Sequence, residues 1–155
     1  MVLPEDDANR QIANGFHQQI TWTRLRQMQV LPVAGGWKRV LTEFQSAHVP
    51  AMNRCGNRYM ILLIDFDGRV ERLQEAKAEI PAELTDRVFI LGTLSNPENL
   101  RAELGAYEQI GAAMASDCRD GTDIVWGHAL LHHNESELHR LRDPICEILF
   151  PSAVL

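Results

Sequence analysis

The chain has 155 residues, 45% of them hydrophobic and 23% charged, with a formal net charge of −6. That length suits one domain with a sizeable core, and the composition is that of a soluble globular protein. No stretch approaches the roughly 20 apolar residues of a membrane span, and no basic-then-apolar leader opens the chain, so a cytoplasmic protein is expected.

The negative charge argues against gross affinity for nucleic acid, but it is unevenly spread. Residues 8–72 hold nine Lys/Arg against four acids, whereas residues 73–155 hold six against fourteen. A basic front half can set a positive surface beside an acidic site. The cysteines, Cys55, Cys118 and Cys146, are odd in number and far apart, which reads as reduced thiols rather than a disulfide framework.

Met1 to Pro4 is short and apolar and runs into Glu5-Asp6-Asp7, a first strand with acids at its carboxyl end. Asp7 is placed to cap a helix from Ala8 to about Gln19, with Ile12, Ala13 and Phe16 as its apolar stripe. Gln27 to Val33 reads as a second strand. Ala34-Gly35-Gly36 then turns into a helix from Trp37 to about Ala47, and residues 49–57 read as a loop. A Gly-Gly pair between strand and helix lets a ligand phosphate approach the backbone closely.

Tyr59 to Ile64 is an unbroken apolar run, as expected for a buried parallel strand with no polar face. It ends in Asp65-Phe66-Asp67-Gly68. Two acids two residues apart share one side of a continuing strand, and a hard cation such as magnesium relieves their repulsion. A polar helix over Val70 to Ala78 follows. Arg87 to Thr93 is another buried strand, and Ser95-Asn96-Pro97-Glu98 is a helix start. Gly105 divides two further helices. Asp117 to Asp123 reads as an acidic loop and Asp123 to Trp126 as a short strand. Asn134 to Glu137 has the form of a capping box opening a final helix to about Leu149. Ile148-Leu149-Phe150, with Val154 and Leu155, is expected to dock on the core or form a dimer seam.

Strand–helix alternation from the first residue predicts a single α/β domain, a doubly wound, mostly parallel sheet with helices on both faces. The carboxyl ends of its strands share one rim, so Glu5, with Asp6 or Asp7, is expected to face Asp65 and Asp67 there.

A strand ending in Glu5, a strand leading into Gly35-Gly36, and an apolar strand ending Asp65-Phe66-Asp67 together resemble the Toprim domain. This domain occurs in topoisomerases, primases, overcoming-lysogenization-defect nucleases and small maturation nucleases. The resemblance covers about residues 1–95 and leaves a helical part over residues 96–155. It implies metal-dependent phosphodiester hydrolysis on nucleic acid. Glu5 would be the general acid or base, and Asp65 and Asp67, with Glu5 beside them, would hold Mg²⁺ or Mn²⁺. Gly35 and Gly36 would form the backbone approach. A catalytically silent module that binds nucleic acid or a protein partner is the alternative.

Ile61 to Gly68 is also similar to the first motif of haloacid dehalogenase-type phosphatases. Asp65 would then be nucleophile, Asp67 general acid, and Thr93 or Ser95 the second motif. Leu3 to Asp7, followed by Asn9-Arg10, resembles a response-regulator receiver, with Asp65 as phospho-acceptor and Thr93 as switch residue. Both families place a lysine after the Thr93 position, and the only lysines here are Lys38 and Lys77. Finally, His128, His132, His133 and His139 crowd the C-terminal segment. His128 and His132 have the spacing of one helical face, but a zinc site needs further ligands. A polar helix face is the simpler expectation, with His128 or His133 leaning over the acidic rim as the other.

Overall fold

The structure is a computed structural model that describes residues 1–151; of the predicted docking segment, Val154 and Leu155 lie outside the described residues. It is an α/β fold built on three parallel strands, β1 (Val2–Pro4), β2 (Met60–Leu63) and β3 (Val88–Leu91), in the order β1-β2-β3. The α-helices among the described residues are α1 (Asp7–His17), α2 (Trp37–Glu43), α3 (Val49–Arg54), α4 (Glu71–Ala78), α5 (Pro97–Leu104), α6 (Tyr107–Asp120), α7 (Glu135–Leu141) and the short α8 (Glu147–Leu149). No helix among the described residues is long and apolar enough to cross a membrane.

Alternation along each strand sends apolar side chains to both faces. Met60 and Leu62 of β2, with Val88 and Ile90 of β3, pack in a cluster with Phe44 and Met52. Ile61 and Leu63, with Phe89 and Leu91, pack in a second cluster with Leu138 and Leu141 of α7. Burying one such large side chain stabilises the fold by about 1.5–3 kcal/mol, so the two faces hold the sheet from opposite sides. Helices α1 and α6 cross in close contact. Gly111 sits where an added Cβ would lie 1.9 Å from the Ile12 carbonyl oxygen, and Gly15 faces the Glu108 carbonyl in the same way.

The segment predicted as a second strand does run parallel to β1, but only Val30 makes a bridge, to Val2. The Val2 amide donates to the Gln29 carbonyl (2.8 Å), and the Leu31 amide to the Val2 carbonyl (2.9 Å). The next rung needs a donor at Pro4, which has none, so the ladder stops. Residues 49–54, expected in a loop, are helix α3: α2 passes through a π-type turn at Phe44–His48 and continues, with Pro50, which has no N–H to donate, just past that turn.

The C-terminal part corrects several expectations. Asp117 to Asp120 belong to α6 rather than to an acidic loop. Asp123 to Trp126 form no strand. Instead the Asp117 carboxylate, 1% exposed, accepts from the amides of Ile124, Val125 and Trp126 and from the Thr122 hydroxyl. Those amides cannot also serve a sheet. The capping box at Asn134 is not made either. Asn134 Oδ1 accepts from the Gly92 amide (3.1 Å) and its Nδ2 donates back to the Gly92 carbonyl, while Glu137 Oε2 accepts from the Ile90 amide. These two side chains satisfy the free edge of β3, which would otherwise present unpaired backbone groups. The single long final helix is interrupted by a π-type turn at Arg142–Cys146. Cys118 and Cys146, expected as reduced thiols, form a disulfide, with Cα atoms 5.5 Å apart, and Cys55 is free. Folding of the last segment back on α6 brings together two cysteines that are 28 residues apart. Leu149 is buried and the Phe150 ring packs on Phe16, so this end docks on the core.

Candidate functional site

The carboxyl ends of β1 and β2 carry the acids. Past β1 the ladder continues as the Glu5 amide donates to the Leu63 carbonyl (2.9 Å), and the Glu5 side chain then curls over so that Oε2 accepts from the Asp65 amide (2.8 Å). Residues 60 apart in sequence are thereby joined at one point. Past β2 the chain follows β3: the Phe66 amide donates to the Thr93 carbonyl and the Asp67 amide to the Ser95 carbonyl. Asp67 has φ of +48°, a left-handed conformation. The two aspartates are therefore set by a turn. Simple strand alternation, the expectation for this pair, does not describe them: Asp65 is buried, while the Asp67 side chain is 60% exposed.

Asp6 and not Asp7 caps α1. Its Oδ1 accepts from the Asn9 amide (2.9 Å) and from Asn9 Nδ2 (3.0 Å). The same Nδ2 donates to Asp65 Oδ2 (3.1 Å), so buried Asn9 ties the helix cap to the central acid. Asp7 lies on the exposed surface, paired with Arg10 and Gln11, and takes no part in the rim. Gly35 and Gly36 sit beside Glu5: the Gly35 amide donates to the Glu5 carbonyl (2.8 Å), and both glycines have positive φ, which side-chain-bearing residues rarely adopt.

Arg72 of α4 is buried under the Asp65–Asp67 turn. Its Nη1 donates to the Asp65 carbonyl and to Asp67 Oδ2 (2.8 Å), and the Trp37 ring stacks on the guanidinium at 4.9 Å. Neither Asn9 nor Arg72 is among the residues expected to form the rim. Asn9 carried a signal, standing three residues after an Asp at a helix start. Arg72 looked like one more charge on a polar helix.

Electrostatics follow from this packing. Burial, then the nearby Asp6, Glu5 and Asp67 charges, push the Asp65 carboxyl up to about 8, against the opposing hydrogen bond from Asn9. Glu5 is raised as well, by burial first and by Asp6 and Asp67, with the Asp65 amide and Arg72 opposing. Asp65 Oδ1 is a buried acceptor with no partner. A buried carboxylate oxygen left unpaired among three other acids is costly unless a proton or cation meets it.

Hard carboxylate oxygens are the donor type that Mg²⁺ and Mn²⁺ take, and the orphaned Asp65 Oδ1 is suited to such an ion. The arrangement is not closed around one, since among the described residues no three His, Cys, Asp or Glu side chains are spaced to enclose a metal together. Asp65 Oδ2, Asp67 Oδ2 and Glu5 Oε2 are already engaged by Asn9, Arg72 and the Asp65 amide.

His128 and His132 take different partners. The His128 ring bonds to Glu103 (2.9 Å), and His132 is exposed near Glu135 (3.7 Å), so the pair shares no helical face. His133 packs edge-on against Phe66 at 4.7 Å, next to the rim acids in sequence, with neither ring nitrogen partnered; burial pushes it down to about 4. Comparison with protein-family models, curated proteins and solved structures finds no match to this chain.

Proposed function

We propose that the chain is a Toprim-like, doubly wound α/β enzyme that hydrolyses phosphodiesters of nucleic acid in a reaction dependent on Mg²⁺ or Mn²⁺. The observation that carries this reading is the convergence of Glu5 and Asp65, 60 residues apart, on a rim where Asp65 Oδ1 is buried without a partner. Asp65 would hold the ion through its unpartnered Oδ1, and Glu5 and Asp67 would join it on leaving the Asp65 amide and Arg72, with Asp6 adding charge beside them. When bound, the ion would stabilise charge on phosphate oxygens and lower the pKa of a coordinated water.

The chain's own groups have separable tasks. Glu5 lies half-buried with its proton affinity raised, the direction that suits a general acid or base. Asn9 orients Asp65 from the α1 cap. Arg72, held under Trp37, fixes the left-handed turn at Asp67 and compensates its charge. Gly35 and Gly36 keep the neighbouring backbone clear of side chains, room that a phosphate oxygen could use. Without the ion, Asp65, pushed up to about 8, holds a proton at neutral pH.

The test is cleavage of labelled single- and double-stranded DNA and RNA in Mg²⁺ or Mn²⁺ by the wild type and by Asp67→Asn. Cleavage lost in the variant is the expected result. A folded wild type that cleaves none of these substrates would favour a silent binding module instead. A stable adduct of a phosphate analogue on Asp65 would favour the phospho-acceptor chemistry of the phosphatases and receivers.

A further inference from the structure

A second feature lies at the other end of the sheet. Between the α1/α6 pair, the C-terminal segment and the sheet face that carries Ile61, Leu63 and Leu91 lies a half-open chamber of about 310 Å³. Its walls are apolar, with Phe16, Met114 and Leu141 among them. Its polar residues are concentrated at the amino ends of the strands, opposite the acidic rim, and come largely from residues 26–29 and 57–58. Arg26, Gln27, Gln29 and Asn57 are exposed there.

The charge of this opening runs against that of the chain. The chain has more acids than bases, yet the charged side chains lining the chamber are Arg26, Arg58 and Arg142, with no Asp or Glu among them. Arg142 is taken by Asp123 and the Thr122 carbonyl. Arg26 and Arg58 have no acidic partner among the described residues. Apolar walls left facing solvent in such a pocket forfeit dispersion contacts and burial that a ligand would restore. The chamber is about twice the ~150 Å³ of a cavity that takes up a benzene ring, which leaves room for roughly ten to twelve carbons.

We propose that this chamber binds a single-chain amphipathic anion, with its hydrocarbon tail against Ile61, Leu63 and Leu91 and its carboxylate at Arg26 and Arg58. The arginines would supply charge-assisted hydrogen bonds to the head. The walls would supply burial of the tail, which fixes affinity more than direction.

Isothermal titration of decanoate into the full chain tests this, with decyltrimethylammonium, the same tail under the opposite charge, as comparison. Expected are one decanoate per chain, affinity for the cationic amphiphile at least about tenfold weaker, and at least about a tenfold loss of decanoate affinity in Arg26→Glu/Arg58→Glu, where each 1.4 kcal/mol corresponds to tenfold. Leu63→Trp, which fills the chamber, should abolish binding. Because Arg26 is exposed and Arg58 half-exposed, the arginine variant tests the head group even if Leu63→Trp fails to fold. No saturable binding, equal binding of the two amphiphiles, or decanoate affinity unchanged in Arg26→Glu/Arg58→Glu would overturn the proposal.

Discussion

Asp65→Asn should make the protein more stable at neutral pH and leave it unchanged at low pH. The Asp65 carboxyl titrates near 8 in the fold against an ordinary 3.8. Below about pH 4 it is neutral in both the folded and unfolded states and has no effect on their balance. Between about pH 4 and pH 8 the unfolded chain ionises and the folded chain does not, so folding loses about 1.4 kcal/mol per pH unit. By pH 7 the loss reaches about 4 kcal/mol as an upper bound, and some hydration of the site brings the expected gain from Asp65→Asn to roughly 2–4 kcal/mol. The asparagine amide can also donate to the neighbouring carboxylates that Asp65 repels. Urea unfolding of both proteins from about pH 3 to about pH 9 reads this directly: the curves should coincide below about pH 4 and diverge as pH rises, flattening above about pH 8. Added Mg²⁺ should stabilise the wild type most at the alkaline end and should leave Asp65→Asn little changed. Parallel curves, separated by a constant offset, would refute the burial and repulsion argument for Asp65.

Other positions give independent checks. Asp117→Ala leaves three backbone amides and a hydroxyl without their acceptor and should cost about 3–5 kcal/mol in urea unfolding. Burial would raise Asp117, but those hydrogen bonds outweigh it and hold it below the usual carboxylate value; its stabilisation is therefore complete above about pH 4 and should fade as pH falls through that lower folded value. The Cys118–Cys146 bridge closes a 28-residue separation, so Cys118→Ser/Cys146→Ser should lower stability by about 3.5 kcal/mol, and a reductant should lower the melting temperature of the wild type alone. Gly111→Val should lose about 3 kcal/mol or more, because its Cβ would meet the Ile12 carbonyl at 1.9 Å and force α1 off α6.

The strands on apolar runs were legible in the sequence because a buried parallel strand leaves a continuous apolar stretch that no loop would keep. So were the break at Gly105, which ends α5 with φ of +96°, and the cap at Asn96, whose Oδ1 accepts from the Asn99 amide. The meeting of Glu5 with Asp65 followed from strand direction alone. What stayed hidden depended on long-range partners. Asn134 and Glu137 looked like a local capping pair, but the free edge of β3 competes for them and wins, since unpaired edge groups would otherwise be buried. Asp117 looked like part of a solvated acidic run, yet it organises the turn that replaced a strand. Cys118 and Cys146 show the same limit: spacing along the chain carries no information on how the last segment folds back. Arg72 was unreadable because nothing local marks a charge on a polar helix as the one that turns inward.

The most direct measurement of the central claim is a Mn²⁺ titration followed by electron paramagnetic resonance, on the wild type and on Glu5→Gln, Asp65→Asn and Asp67→Asn. Expected is one site in the wild type that each substitution weakens at least about tenfold, roughly 1.4 kcal/mol, with Asp7→Asn binding as the wild type does. A wild type that binds no Mn²⁺, or one whose site survives all three substitutions, would contradict a metal-dependent rim at Glu5, Asp65 and Asp67.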